Sequence, residues 1–191
     1  AGLVYPEFNR NIHIVDDIDI SNRESWDVFL TIDFGVVNPF ACLAVAYHAK
    51  SDRLIVIDEH FATEKTTVQN GHAINAKFHR LKPFEHVICD PENKDGRMLL
   101  ARQCNLHNHA APKHLGVSQT INMVKERLAL NAEGKPRLFV HRKCRNLLLE
   151  FRKYRWAKTT TGKDKPVKRD DHGLDALRYL ICWLARYQMH R

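Results

Sequence analysis

The sequence predicts an α/β fold, a mixed β-sheet with helices on both faces. Three apolar, β-branched and aromatic runs follow one another at hairpin distance early in the chain. Short apolar runs then alternate with segments of helical period, the pattern of a sheet covered on both sides. The 191 residues suit one domain. A hydrophobic share of 44% with 27% charged residues excludes wholesale disorder. No apolar run approaches the ~20 residues that cross a bilayer, and no charged-then-apolar leader opens the chain, so a soluble protein that is not exported is expected. The chain begins Ala1-Gly2-Leu3 without Met, which is expected of a fragment or a processed product.

The elements follow in order. Residues 1–24 read as an extended lead-in, since Tyr5-Pro6-Glu7-Phe8 breaks a helix and Asp16-Asp17-Ile18-Asp19 has no period. Trp26 to Phe34, Phe40 to Tyr47 and Leu54 to Ile57 are three consecutive antiparallel strands, with turns at Asn38-Pro39 and Ser51-Asp52. Thr66 to Leu81 is a helix with Val68, Ile74, Phe78 and Leu81 on its apolar side. Glu85 to Cys89 is a short strand stopped by Asp90-Pro91, and Lys94 to Cys104 is a helix. Asn108 to Ala111 is a short strand. Ser118 to Leu130 is helical by the spacing of Ile121, Val124 and Leu128. Arg137 to Val140 is a strand and Cys144 to Phe151 a helix. Tyr154 to Lys158 and Pro166 to Lys168 flank the polar turn Thr161-Gly162-Lys163-Asp164 as a hairpin. Asp171 to Tyr187 closes the chain as a helix, with Asp170 or Asp171 as N-cap.

Five cysteines, an odd set without a CxxC pair, read as reduced core thiols of an intracellular protein. The net charge of +8 and pI near 9.4 are unevenly placed. Lys135 to Arg169 holds thirteen basic residues against two acidic ones, Glu150 and Asp164, a local +11 that leaves −3 elsewhere. One basic tract on a mildly acidic body is the footprint of a polyanion binder.

Three acids sit where a core should be apolar. Asp33 ends an apolar strand, Asp90 follows Val87-Ile88-Cys89, and Asp175 precedes Ala176-Leu177 in a helix apolar nearly all round. A carboxylate buried there must be paired, hydrogen-bonded or metal-bound. Each also has an ordinary reading: a strand-end cap, an Asp-Pro turn, and a pair with Arg178 or Arg169. Together they can converge at one sheet edge, where oxygen ligands select Mg²⁺ or Mn²⁺. His172, three residues before Asp175, is placed to bind metal, hold a water or protonate a leaving oxygen. Asp171 competes with Asp175 for the third ligand position. Asp33-Phe34-Gly35 copies a kinase tripeptide, but the other kinase loops are missing. No GxxxxGK[ST] occurs, which excludes a nucleotide motor in this stretch.

The pattern Thr31-Ile32-Asp33-Phe34-Gly35, Val87-Ile88-Cys89-Asp90-Pro91 and Asp171-His172-Gly173-Leu174-Asp175-Ala176-Leu177-Arg178-Tyr179 resembles the C-terminal nuclease domain of the large terminase subunit of tailed double-stranded DNA bacteriophages. The segment Gly2 to Phe8 resembles that family's joint between ATPase and nuclease. Glu150 to Trp156, with the Lys/Gly turn after it, resembles its hairpin beside the active site. The resemblance implies an RNase H-like mixed sheet with a basic β-hairpin before the C-terminal helix. It further implies residues 1–24 as the linker from an ATPase domain and 25–191 as the nuclease domain. The implied activity is metal-dependent endonucleolytic cutting of concatemeric phage DNA during packaging, with two Mg²⁺ or Mn²⁺ ions. Asp33, Asp90 and Asp175 are the implied metal ligands, with Asp171 as a rival and His172 as an auxiliary catalytic residue. Lys158, Lys163, Lys165 and Lys168 are the candidate DNA contacts. The implied partners are double-stranded DNA, the portal protein, the small terminase subunit and the ATPase domain, in the host cytoplasm. The rival readings are a non-catalytic DNA- or portal-docking module and a resolvase or transposase of the same fold.

Overall fold

The computed structural model describes residues 2–158, 160 and 164–188. Its strands are β1 (Ile14–Val15), β2 (Asp27–Asp33), β3 (Phe40–His48), β4 (Arg53–Ala62), β5 (His86–Cys89), β6 (His109–Ala110) and β7 (Leu138–His141). Its helices are α1 (Arg10–His13), α2 (Thr67–Lys77), α3 (Lys94–Cys104), α4 (Val117–Leu128), α5 (Arg145–Lys153) and α6 (His172–Gln188). The strands form one sheet in the order β1-β7-β4-β3-β2-β5-β6. The pairs β2/β3 and β3/β4 are antiparallel, and the other four are parallel. The sheet is therefore mixed, as the sequence predicts.

Two cores follow from the period-2 alternation of the strands. Leu30, Ile32, Cys42, Val87 and Cys89 face α2 and α3, which contribute Ile74 and Leu100. Phe29, Leu43, Val45 and Ile88 face α4, α5 and α6, which contribute Val124, Phe151 and Leu177. Thr31, on the second face, donates its hydroxyl to the Ala176 carbonyl of α6 at 2.5 Å. This contact seats the closing helix across β2. All five cysteines are buried and unpaired. Among the described residues no helix is long and apolar enough to cross a membrane.

Three segments differ from expectation. The lead-in is built into the fold rather than merely extended: Val4 and Tyr5 are fully buried, and Val4 N–H donates to the Tyr154 carbonyl at 2.9 Å. Within it α1 is capped by Asn9, and β1 pairs with β7. β4 runs five residues past its apolar stretch, because the ladder to β3 carries Asp58 through Ala62 where hydrophobicity does not. α2 stops at Lys77 and a 3₁₀ turn covers His79–Leu81. The arms of the expected hairpin pair at Trp156 and Pro166, with Ala157 N–H donating to the Lys165 carbonyl at 2.7 Å. Thr161, Gly162 and Lys163 of its turn lie outside the described residues.

Candidate metal centre

Asp33 and Asp90 are brought together by register. β2 and β5 are parallel neighbours paired through Ile32 and Cys89, and Asp90 N–H donates to the Ile32 carbonyl at 3.0 Å. The next residue on each strand is an aspartate on the α6 face, at the carboxyl ends where open α/β sheets bind ligands. α6 begins over the same edge. Asp33, Asp90, Asp171, His172 and Asp175 all line one cleft of about 710 Å³, together with Tyr179 and Lys168. The cleft is walled by the β2–β3 loop on one side and by Glu150 and Lys153 of α5 on the other.

Asp33, Asp171 and Asp175 are buried, Asp90 is half-buried, and the charges stand close enough to disturb one another. Burial pushes the Asp33 carboxyl up to about 6; the His172 hydrogen bond opposes the rise, and Asp175 and Asp90 add to it. His172 Nδ1 lies 3.1 Å from Asp33 Oδ2, a contact that raises the imidazole pKa against the effect of its burial. Tyr179 donates its hydroxyl to Asp33 Oδ1 at 3.3 Å. Asp175 pairs within the helix with Arg178, whose guanidinium also donates to Thr120 Oγ1 at 2.9 Å. That is the ordinary pairing the sequence offered for Asp175, and Lys168 Nζ lies 3.9 Å from its other oxygen. Asp90 Oδ1 accepts from Glu92 N–H at 2.8 Å, an Asp-Pro turn contact. Asp171 is 3% exposed, and its Oδ2 has no hydrogen-bond partner among the described residues. Burial, then Asp175, raises its pKa.

This donor set fits a hard divalent cation: anionic oxygens, mutually repelling, one of them buried without a hydrogen bond. Among the described residues no three His, Cys, Asp or Glu side chains already stand at metal-holding geometry, since Asp33 is turned to His172 and Tyr179, and Asp175 to Arg178.

Two glutamates that sequence reasoning passed over aim the helices. Glu150 is 6% exposed, and its carboxylate accepts the N–H groups of Leu174 at 3.0 Å and Gly173 at 3.2 Å. These are donors that a helix start leaves without partners, and a carboxylate there also meets the positive end of the helix dipole. Glu59 of β4 does the same for α5, accepting from Asn146 and Leu147 N–H, both at 3.0 Å. A chain of caps thus runs from the sheet through α5 to the helix that carries Asp175. The signal for Glu150 was present, an acid inside Leu147-Leu148-Leu149-Glu150-Phe151. Glu59 sits in a polar stretch and had none. Of the expected DNA contacts, Lys168 lines the cleft, Lys158 and Lys165 are exposed on the hairpin arms outside its lining, and Lys163 lies outside the described residues.

A family profile described as the terminase RNaseH-like domain matches residues 30–184. The large terminase subunit of Escherichia phage T5 is 27% identical over 97% of this chain, which spans 42% of that protein's length. The large terminase of a thermophilic bacteriophage superposes with a TM-score of 0.78 at 24% identity, over 94% of this chain and 45% of its own. The large terminase nuclease domain of bacteriophage SPP1 with bound Mn gives 0.66 at 17%, over 93% of this chain and 97% of its own. The mixed seven-stranded sheet is thus the RNase H-like fold of terminase nucleases. The profile runs from the strand that ends in Asp33 to the helix that carries Asp175, taking in the whole of the acidic cleft, and the chain belongs to the terminase RNaseH-like domain family.

Proposed function

We propose that the chain is the nuclease domain of a large terminase subunit, an endodeoxyribonuclease that cuts concatemeric double-stranded phage DNA during packaging and requires two divalent cations, Mg²⁺ or Mn²⁺. The observation that carries this reading is the convergence in one cleft of Asp33, Asp90 and the Asp171–Asp175 turn, three stretches far apart along the chain. The Mn bound by the SPP1 domain supports the choice of ion class.

Asp33, Asp90 and Asp175 would hold the ions, with the buried free oxygen of Asp171 as a further donor. Bound divalent ions supply a low-pKa water and stabilise charge on the phosphoryl and leaving oxygens. The protein's own part is placement. His172 and Tyr179 fix the two oxygens of Asp33. Arg178 fixes Asp175, and Glu150 holds the start of α6 against α5. His172, which lines the cleft, would carry a proton to the departing oxygen. Lys168 at the rim, with Lys158, Lys163 and Lys165 of the hairpin, would contact phosphates, which position a duplex without reading its sequence. Residues 1–24 would lead from the ATPase domain of the full-length chain into the nuclease domain of 25–191. The portal protein and small terminase subunit would be partners of that longer chain, in the host cytoplasm.

Plasmid nicking with Mg²⁺ or Mn²⁺ tests the reading. Asp33→Asn and Asp90→Asn should each abolish nicking while duplex binding survives. Cutting at the parental rate by either variant overturns it.

A further inference from the structure

We infer that a second phosphate-backbone site lies on the flank of α5 away from the cleft and holds duplex DNA beyond the point of cutting. The inference rests on the nuclease reading above and extends it to residues outside the acidic site. A groove of about 260 Å³ is lined by Arg10, Arg142, Arg145 and Arg152, with Leu148 and Leu149 among its apolar walls. Among the described residues no carboxylate lines it. Arg142 pairs with exposed Asp16 at 2.5 Å, a contact that solvent screens and that leaves the guanidinium open to a phosphate. Arg145 and Arg152 are both exposed on α5. Seven residues separate them, so they stand ~10.5 Å apart along the helix, about three phosphate rises of one strand.

Continuity with the cleft selects DNA over other anions. Asn146, Glu150 and Lys153 of α5 face the acidic cleft, Arg145, Leu148 and Arg152 face the groove, and Leu149 lines both. The two sites are therefore neighbouring flanks of one helix, whose diameter with side chains is ~10–12 Å. The major groove of B-DNA is ~12 Å wide and admits a helix. A duplex with one strand at the carboxylates would straddle α5 and set its second backbone against the four arginines. Guanidinium forks suit phosphate, and phosphate contacts position a duplex without carrying sequence information.

The test is a salt series of duplex binding by fluorescence anisotropy on the 191-residue chain, in chelator so that nothing is cut. The variants are Arg145→Gln with Arg152→Gln, and a control losing equal charge at the far end of the sheet, Lys50→Gln with Arg102→Gln. Each lost phosphate contact lowers the slope of log K against log salt by ~0.9, so the first pair should flatten it by ~1.8 and weaken binding ~10–60-fold at ~0.1 M salt. The control should leave the slope unchanged. An unchanged slope in the arginine pair overturns the site, and so does an equal loss in the control, which would mean net charge alone. Plasmid nicking with Mn²⁺ reads the nuclease proposal separately: a parent that nicks, with an arginine pair that binds duplex as the parent does, removes only this site, and a parent that neither nicks nor binds removes both. Retained DNA binding together with lost affinity for an acidic peptide would assign the groove to a protein partner and also overturn it.

Discussion

Replacing Glu150 by alanine probes the cap that aims α6, and its cost should depend on pH. The substitution strands two buried N–H groups, those of Gly173 and Leu174. Each unsatisfied buried donor costs ~1–3 kcal/mol, so about 3 kcal/mol is expected for the pair while Glu150 is protonated in the fold. Burial pushes the Glu150 carboxyl up to about 7, against the lowering effect of those two N–H groups. The folded state thus binds the proton more tightly than the unfolded chain. The contribution of the side chain is intact below the ordinary glutamate range and is lost as pH rises through about 7. Integrating between the ordinary value of 4.5 and 7, the parent loses ~2.5 kcal/mol relative to the variant from about pH 5 to about pH 8. At ~2–4 °C per kcal/mol for a chain of this size, Glu150→Ala should melt ~6–12 °C below the parent at the acid end and nearly level with it at the alkaline end. Thermal unfolding by circular dichroism, in chelator, reads this directly. A gap that stays constant or widens with pH would refute the assignment of Glu150 as a buried cap held near its neutral form.

Arg178→Met should cost ~3–5 kcal/mol in melting experiments, because Asp175 is left charged and buried without its partner, and adding Asp175→Asn should restore most of it. If the double variant is as unstable as the single, the pair is not what the guanidinium provides. Gly173→Ala should destabilise by ~1–3 kcal/mol through overpacking, since a Cβ there would lie 2.7 Å from Phe61 Cζ and 3.2 Å from Leu147 Cδ1. An unchanged melting temperature would show that the start of α6 shifts freely.

The sheet was legible wherever apolar runs coincide with strands, as in β2, β3 and β5, whose ends match the sequence reading within two residues. It was not legible where ladder bonds rather than side chains hold the strand, as over Asp58 to Ala62. β1 and the burial of Val4 and Tyr5 depend on partners more than a hundred residues away, so nothing local announces them. The site was visible because an acid in an apolar run must be accounted for energetically, a criterion that found Asp33, Asp90 and Asp175. The same criterion applies to Glu150, which the sequence reading took only as one of two acids among thirteen basic residues and as the start of the hairpin-like segment. The contact of His172 with Asp33 spans 139 positions and follows only from seating α6 on β2 through Thr31.

Titrating Mn²⁺ against the melting temperature is the most direct test of whether the acidic cleft is a metal site. Binding to the native state alone stabilises by ~2.7 kcal/mol at a hundredfold excess over Kd, which is ~5–11 °C here. The parent chain should rise by that amount, and Asp33→Asn, Asp90→Asn and Asp175→Asn should each lose most of the rise. No shift in the parent at millimolar Mn²⁺, or an equal shift in all three variants, would contradict the metal centre.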